Sequence, residues 1–131
     1  MLEGLKVLVV EDNEQNMELV EFLLEEARAE VLKAEDARSA REAMSRQPPD
    51  LVLMDMNIPG SDGSSLLYEL RRRDGWENVP VVALTALAMR GDRERILASG
   101  FQGYLSKPIN VQTFLQELEA FLPASPKEDP T

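Results

Sequence analysis

Three apolar runs constrain the fold of this chain more than any other feature, because each stops abruptly at a polar side chain. Leu5-Lys-Val-Leu-Val-Val10 runs into Glu11-Asp12, Asp50-Leu-Val-Leu-Met54 into Asp55, and Val79-Pro-Val-Val-Ala-Leu84 into Thr85-Ala86. Runs this short, rich in Val and Leu, read as strands covered on both faces, the usual condition in a parallel sheet. Open parallel sheets bind ligands outside the carboxyl ends of their strands. Three polar strand ends therefore predict one site, with Asp55 held rigidly within it.

Between the runs the apolar period lengthens. Over Asn13 to Arg28, residues Met17, Val20, Leu23, Leu24 and Ala27 recur at helical spacing with Glu18, Glu21, Glu25 and Glu26 mostly between them, an amphipathic helix. Glu30-Val-Leu-Lys33 is read as a short strand and Ala34 to Arg46 as a second helix, which Pro48-Pro49 cannot continue. Pro59-Gly60 and Asp62-Gly63 punctuate a loop after Asp55, and Ser64 is read as the cap of a third helix whose apolar face is Leu66, Leu67 and Leu70. Arg71-Arg72-Arg73 reads as a solvated helix end where positive charge suits the dipole, and Trp76 as a local packing residue. A fourth helix from about Met89 to Ser99 should stop at Gly100, before a strand Gly103-Tyr-Leu-Ser106 and a last helix Asn110 to Leu122.

Strands alternating with helices across short loops imply an α/β fold, a parallel sheet with helices on both faces. The length fits one domain over residues 1–122. The remainder, 123–131, has almost nothing to bury and is expected to be disordered.

Charge and missing residue types narrow the chemistry. With 24 acidic against 14 basic residues the formal net charge is -10, which disfavours direct contact with nucleic acid or anionic lipid. Cysteine and histidine are both absent, which removes thiol chemistry, the commonest general base and the commonest zinc ligand. Any metal must then be held by oxygen. The N-terminal apolar run is interrupted by Lys6 and closed by acids, too short for a signal peptide or a membrane span, so a soluble, cytoplasmic protein is expected.

The strand ends collect Glu11, Asp12 and Asp55, joined by Thr85 and Lys107 if the last two strands are neighbours. Two carboxylates about 4 Å apart repel by roughly 4 kcal/mol at an effective dielectric of 20, so a divalent cation is the simplest way to gather three of them. Mg²⁺ favours oxygen ligands and pairs with phosphate oxygens, while a lysine adds a point charge and a threonine a hydroxyl donor. Such a set suits a phosphoryl group, with the Asp55 carboxylate placed to attack phosphorus and form an acyl phosphate.

On the ordered set Glu11-Asp12, Asp55, Thr85-Ala86 and Lys107-Pro108, the chain resembles the receiver domains of two-component response regulators from about Leu5 to Leu122. The resemblance implies a flavodoxin-like, CheY-like sheet of five parallel strands in the order 2-1-3-4-5 with five helices, and a cis bond at Lys107-Pro108. By the same resemblance Asp55 is the phosphoacceptor. Glu11, Asp12, Asp55 and the main-chain carbonyl of Asn57 hold Mg²⁺ or Mn²⁺, Thr85 and Lys107 meet phosphoryl oxygens, and Tyr104 is the aromatic switch. The donor would be a sensor histidine kinase or a histidine phosphotransfer protein. The output would be protein contact through the fourth helix, fifth strand and fifth helix, and homodimers through the fourth and fifth helices occur among such proteins. Residues 83 to 92 look most like receivers that stand alone or sit in hybrid kinases. Leu87, two after Thr85, is apolar and cannot orient water, so a long-lived acyl phosphate is expected.

Other readings compete. Singly, Asp55 reads as a loop cap, Glu11-Asp12 as helix N-terminal charge, Lys107 as a surface lysine, Thr85 as a strand former and Tyr104 as packing; the first four gain their meaning as a set. Within the same class the chain would be a phosphorelay intermediate that passes its phosphoryl group on to a histidine phosphotransfer protein. An aspartyl-nucleophile phosphatase of the haloacid dehalogenase type needs a second acid where this chain has Asn57. A pseudo-receiver would lack the acidic pair, acceptor, threonine and lysine that are all present here. The reading is therefore a switch and not an enzyme acting on other molecules.

Overall fold

The structure, a computed structural model, describes residues 2–86 and 90–122, with the backbone alone for 90–92. Leu87 and the 123–131 tail lie outside the described residues. Twelve elements follow in order: β1 (Lys6–Val10), α1 (Glu14–Glu26), β2 (Glu30–Ala34), α2 (Ala37–Ala43), β3 (Leu51–Asp55), a hairpin of β4 (Asn57–Ile58) and β5 (Ser61–Asp62), α3 (Gly63–Arg71), β6 (Val81–Thr85), α4 (Arg90–Ala98), β7 (Gly103–Ser106) and α5 (Phe114–Glu119). The large sheet has the order β2-β1-β3-β6-β7 and every pairing in it is parallel. With the hairpin set aside, this is the expected 2-1-3-4-5 order.

Strand alternation divides the core in two. Leu8, Val10, Val52, Met54, Val81 and Ala83 face α2, α3 and α4, where Ala40, Leu66, Leu70 and Ile96 cover them. Val7, Val9, Leu51, Leu53, Val82 and Leu84 face α1 and α5, covered by Val20, Leu24, Phe114 and Leu118. Both faces of β3 and β6 are thus buried along their full length, which is why their sequences are continuous apolar runs. Each fully buried aliphatic side chain contributes roughly 1.5–3 kcal/mol.

Several boundaries move from those the sequence suggests, each for a local reason. Ala34 pairs with Val10 as the last residue of β2, so α2 begins only after Asp36, whose carboxylate accepts from Ser39 N–H while Ser39 Oγ accepts from the Asp36 N–H. The third helix is capped by Asp62, which accepts from Ser65 N–H, and not by Ser64. The last helix starts late because Asn110 closes a turn, its side chain accepting from Gln112 N–H and its carbonyl from Thr113 N–H. Arg71 is not part of a solvated face: it is half-buried and donates to the carbonyls of Trp76 and Val79, tying down the loop before β6. Trp76 packs as expected, at 1% exposure with its indole N–H on the Arg46 carbonyl.

Two glycines matter to the frame. Gly60 has φ of 92° at the hairpin tip, the left-handed region, where a Cβ would also lie 3.2 Å from Ala37 Cβ. Gly103 opens β7 beneath the Phe121 ring, and a Cβ there would fall 2.1 Å from Phe121 Cε1. Gly103→Ala must displace that ring, and a loss of about 1–3 kcal/mol is expected from urea unfolding.

Candidate phosphoryl-acceptor site

The three strand ends meet as the apolar runs predicted. Glu11 follows β1, Asp55 ends β3 and Thr85 ends β6, and they are the buried polar or charged residues among those described, at 1%, 3% and 1% exposure. Carboxylate oxygens of Glu11, Asp12 and Asp55 all lie within 4.8 Å of one another, with Asp12 exposed at the mouth. β7 lies beside β6, so Lys107 reaches the same rim: its N–H donates to the Thr85 carbonyl at 2.8 Å, and its ammonium Nζ donates to Asp55 Oδ2 at 2.8 Å.

Asp55 is held at both oxygens, Oδ2 by Lys107 and Oδ1 by the Asn57 N–H at 2.9 Å. The second contact, a turn closed by a side chain on the amide two residues along, recurs at Glu11, whose Oε2 accepts from Asn13 N–H at 3.0 Å. Sequence reading missed both, although an acid followed two places later by a loop residue is where such turns form. The other Glu11 oxygen, Oε1, lies 3.0 Å from Lys107 Nζ as an ion pair. It is buried without a hydrogen bond.

Electrostatics follow from this crowding. Burial pushes the Glu11 carboxyl above the usual carboxylate range, and neighbouring Asp55 pushes it the same way, against the pull of the Asn13 N–H and Lys107. Burial alone would lower the Lys107 ammonium, but its contacts with the Asp55 and Glu11 carboxylates outweigh that and raise it. Among the described residues Lys107 pairs with two of the three grouped carboxylates, and Glu11 Oε1 meets it as an ion pair with no hydrogen bond. The donor set, all oxygen and net negative, fits a hard divalent cation.

The segment after Asp55 is anchored at two points. Gly63 N–H donates to Met56 O, and the first amide of α2, Ala37 N–H, donates to Pro59 O at 3.0 Å. The Lys107-Pro108 bond is cis, as the resemblance implied. Tyr104 is half-buried in β7, opposite Ala83 of β6, and packs against the core on the α4 side.

Residues 7–119 match the family described as the response regulator receiver domain. The chain belongs to that family. This receiver domain is 38% identical over 116 residues to the polar-differentiation response regulator DivK of Brucella anthropi, a match covering 88% of this chain and 94% of DivK. Among solved structures it is similar to the chemotaxis response regulator CheY4 of Vibrio cholerae, with a TM-score of 0.85 and 29% identity over 90% of this chain and 98% of that one. It is also similar to the receiver domain of the sensor histidine kinase PA1611 of Pseudomonas aeruginosa, at 36% identity, a TM-score of 0.81 and coverage of 90% and 97%. That structure carries a magnesium ion coordinated in the active site cleft. The present receiver is accordingly a phosphoryl-accepting switch of two-component signalling. Among its described residues no helix is long and apolar enough to cross a membrane.

Proposed function

We propose that Asp55 is the phosphoacceptor of this receiver domain, served by Glu11, Asp12, Thr85 and Lys107. The observation that carries the reading is the carboxylate of Asp55 at the end of a fully buried strand, 2.8 Å from Lys107 Nζ and grouped with Glu11 and Asp12. An oxygen of Asp55 attacks phosphorus, the bond from phosphorus to the donor breaks, and an acyl phosphate remains on Asp55. Lys107 already sits on Asp55 Oδ2 and moves with little reorganisation onto a phosphoryl oxygen. The Asn57 N–H keeps the carboxylate turned outward. The Thr85 hydroxyl donates to another phosphoryl oxygen.

Glu11, Asp12 and Asp55 would hold Mg²⁺ or Mn²⁺, together with the main-chain carbonyl of Asn57. The bond from Gly63 N–H to Met56 O makes Asn57 and Asp62 a non-hydrogen-bonded pair, which leaves the Asn57 carbonyl outside the hairpin ladder. The cation supplies charge neutralisation among the carboxylates and on the transferring group.

With no histidine of its own, the chain takes its phosphoryl group from a histidine kinase or a histidine phosphotransfer protein in the cytoplasm. Its only reactions are gain and loss of that group. A new phosphoryl charge of about -1.5 to -2 draws Thr85 inward and makes room for Tyr104, altering the surface of α4, β7 and α5 that a protein target reads. The working unit is residues 1–122.

Mass spectrometry after incubation with Mg²⁺ and a small acyl phosphate tests the assignment. One added phosphoryl group is expected on the wild type, none after chelation and none on Asp55→Asn. An unmodified wild type, or an adduct that survives Asp55→Asn, would overturn it.

A further inference from the structure

Among the described residues, two arginines lie over tyrosine rings, and the two pairs differ in kind. Arg72, the C-cap of α3, stands 5.4 Å from the centroid of Tyr68 four residues before it, a local exposed pair. Arg93 stands 5.8 Å from the Tyr104 centroid and joins two separate elements, α4 and β7. The helix is seated by Ile96, buried one turn further along and part of the same core that Tyr104 packs against. Arg93 is therefore placed over the ring by a packed anchor, while its own side chain stays exposed.

The path from Asp55 to this contact is short and runs through hydrogen bonds. Thr85 is opposite Ser106 in the parallel register and Ala83 is opposite Tyr104, so the end of β6 and the Tyr104 segment move as one ladder. The Lys107 N–H on the Thr85 carbonyl closes the ladder at the site itself. With Asp55 unmodified and held by Lys107, the ring lies under the guanidinium. Any switching motion of Tyr104 must first break that contact.

We propose that Arg93 is a latch on the Tyr104 ring, holding it in its present seat and setting how much phosphoryl binding is needed to release it. This rests on the reading of Asp55 as acceptor and Tyr104 as switch. A guanidinium over an exposed or half-exposed ring shifts an equilibrium by about two- to fivefold. Coupling is reciprocal: what makes the ring easier to move makes a phosphoryl group easier to bind by the same factor. Release also frees the Arg93 guanidinium from the ring, so the partner meets a repositioned charge as well as a moved ring.

The chain has only two tyrosines, which makes the test specific. Protein labelled with fluorotyrosine gives one ¹⁹F resonance for Tyr68 and one for Tyr104, assigned with Tyr68→Phe. Mg²⁺ with beryllium fluoride, a phosphoryl mimic, is titrated against the wild type, Arg93→Met, which keeps the apolar stem, and Arg93→Lys, which keeps the charge. The Tyr104 resonance should move on saturation in all three, with the half-saturating concentration about two- to fivefold lower for Arg93→Met and intermediate for Arg93→Lys. An Arg93→Met midpoint equal to that of the wild type overturns the latch and leaves the acceptor reading standing. A wild-type Tyr104 resonance that stays still at saturation overturns the switch reading and the latch with it. Tyr68 is the internal control, and a parallel shift there would mark a global change and count against the latch.

Discussion

Lys107→Met is expected to destabilise the protein by about 3 kcal/mol in the absence of divalent cations, because it removes one partner of a buried ion pair and leaves the other charges uncompensated. The lysine Nζ lies 2.8 Å from Asp55 and 3.0 Å from Glu11, whose side chains are 4% and 0% exposed. Methionine keeps most of the stem's packing, so the loss reads charge rather than volume. Two conditions should rescue the variant. The first is Mg²⁺, since a ligand at a hundred times its dissociation constant contributes about 2.7 kcal/mol to the folded state. The second is acid. The Glu11 carboxyl is raised in the folded protein, so the folded state binds this proton more tightly than the unfolded chain. Stability from this group therefore grows as pH falls through the raised value toward the ordinary carboxylate range. Without Lys107 the carboxyl is raised further, and the deficit against wild type should narrow on acidification. Urea midpoints across pH, with and without Mg²⁺, measure both effects. A deficit that neither condition reduces would show that the lysine stabilises by packing.

Trp76→Ala is expected to be as large, about 3–5 kcal/mol, the usual cost of emptying a buried aromatic site. The indole is 1% exposed and its N–H donates to the Arg46 carbonyl, joining the turn after α2 to the loop before β6. Arg71 holds the same loop from the other side through the carbonyls of Trp76 and Val79, and burial keeps its guanidinium below the ordinary value. The cavity should relax little, since both walls are tied. Equilibrium unfolding gives the number, and Trp76→Phe, which keeps most of the volume, should recover the greater part. Phosphoryl uptake by the folded fraction should be unaffected, because no atom of Trp76 belongs to the Asp55 cluster.

Burial made much of this molecule legible in its sequence. Strands covered on both faces need unbroken apolar runs, so β1, β3 and β6 announced themselves, and each run ended at a residue of the site. The edge strand β7 was found between Gly100 and Pro108, which bracket it. What sequence pattern could not rank was competition among local hydrogen bonds. Asp36 outbids Ala34 for the start of α2, Asp62 outbids Ser64 for α3, and Asn110 spends its carbonyl in a turn that delays α5. The Arg71 contacts were hidden for another reason: a basic residue at a helix end looks the same whether it meets water or the carbonyls of a folded loop. Within the site, the residue types were readable, but the grip of Lys107 on two carboxylates depends on β7 lying beside β6, which spacing alone leaves open.

The all-parallel pairing has a consequence for how the chain reaches this state. β1 must find β3 across α1, β2 and α2, and β3 must find β6 across α3, so none of the sheet's ladders can start as a local hairpin. Loop-closure entropy is spent before any of these contacts forms, which places such topologies among the slower folders. Glu11, Asp55, Thr85 and Lys107 come from four different segments, and they converge only when the last of these ladders has closed. A full-length chain that has not completed its sheet therefore carries all four of these groups and still keeps them apart.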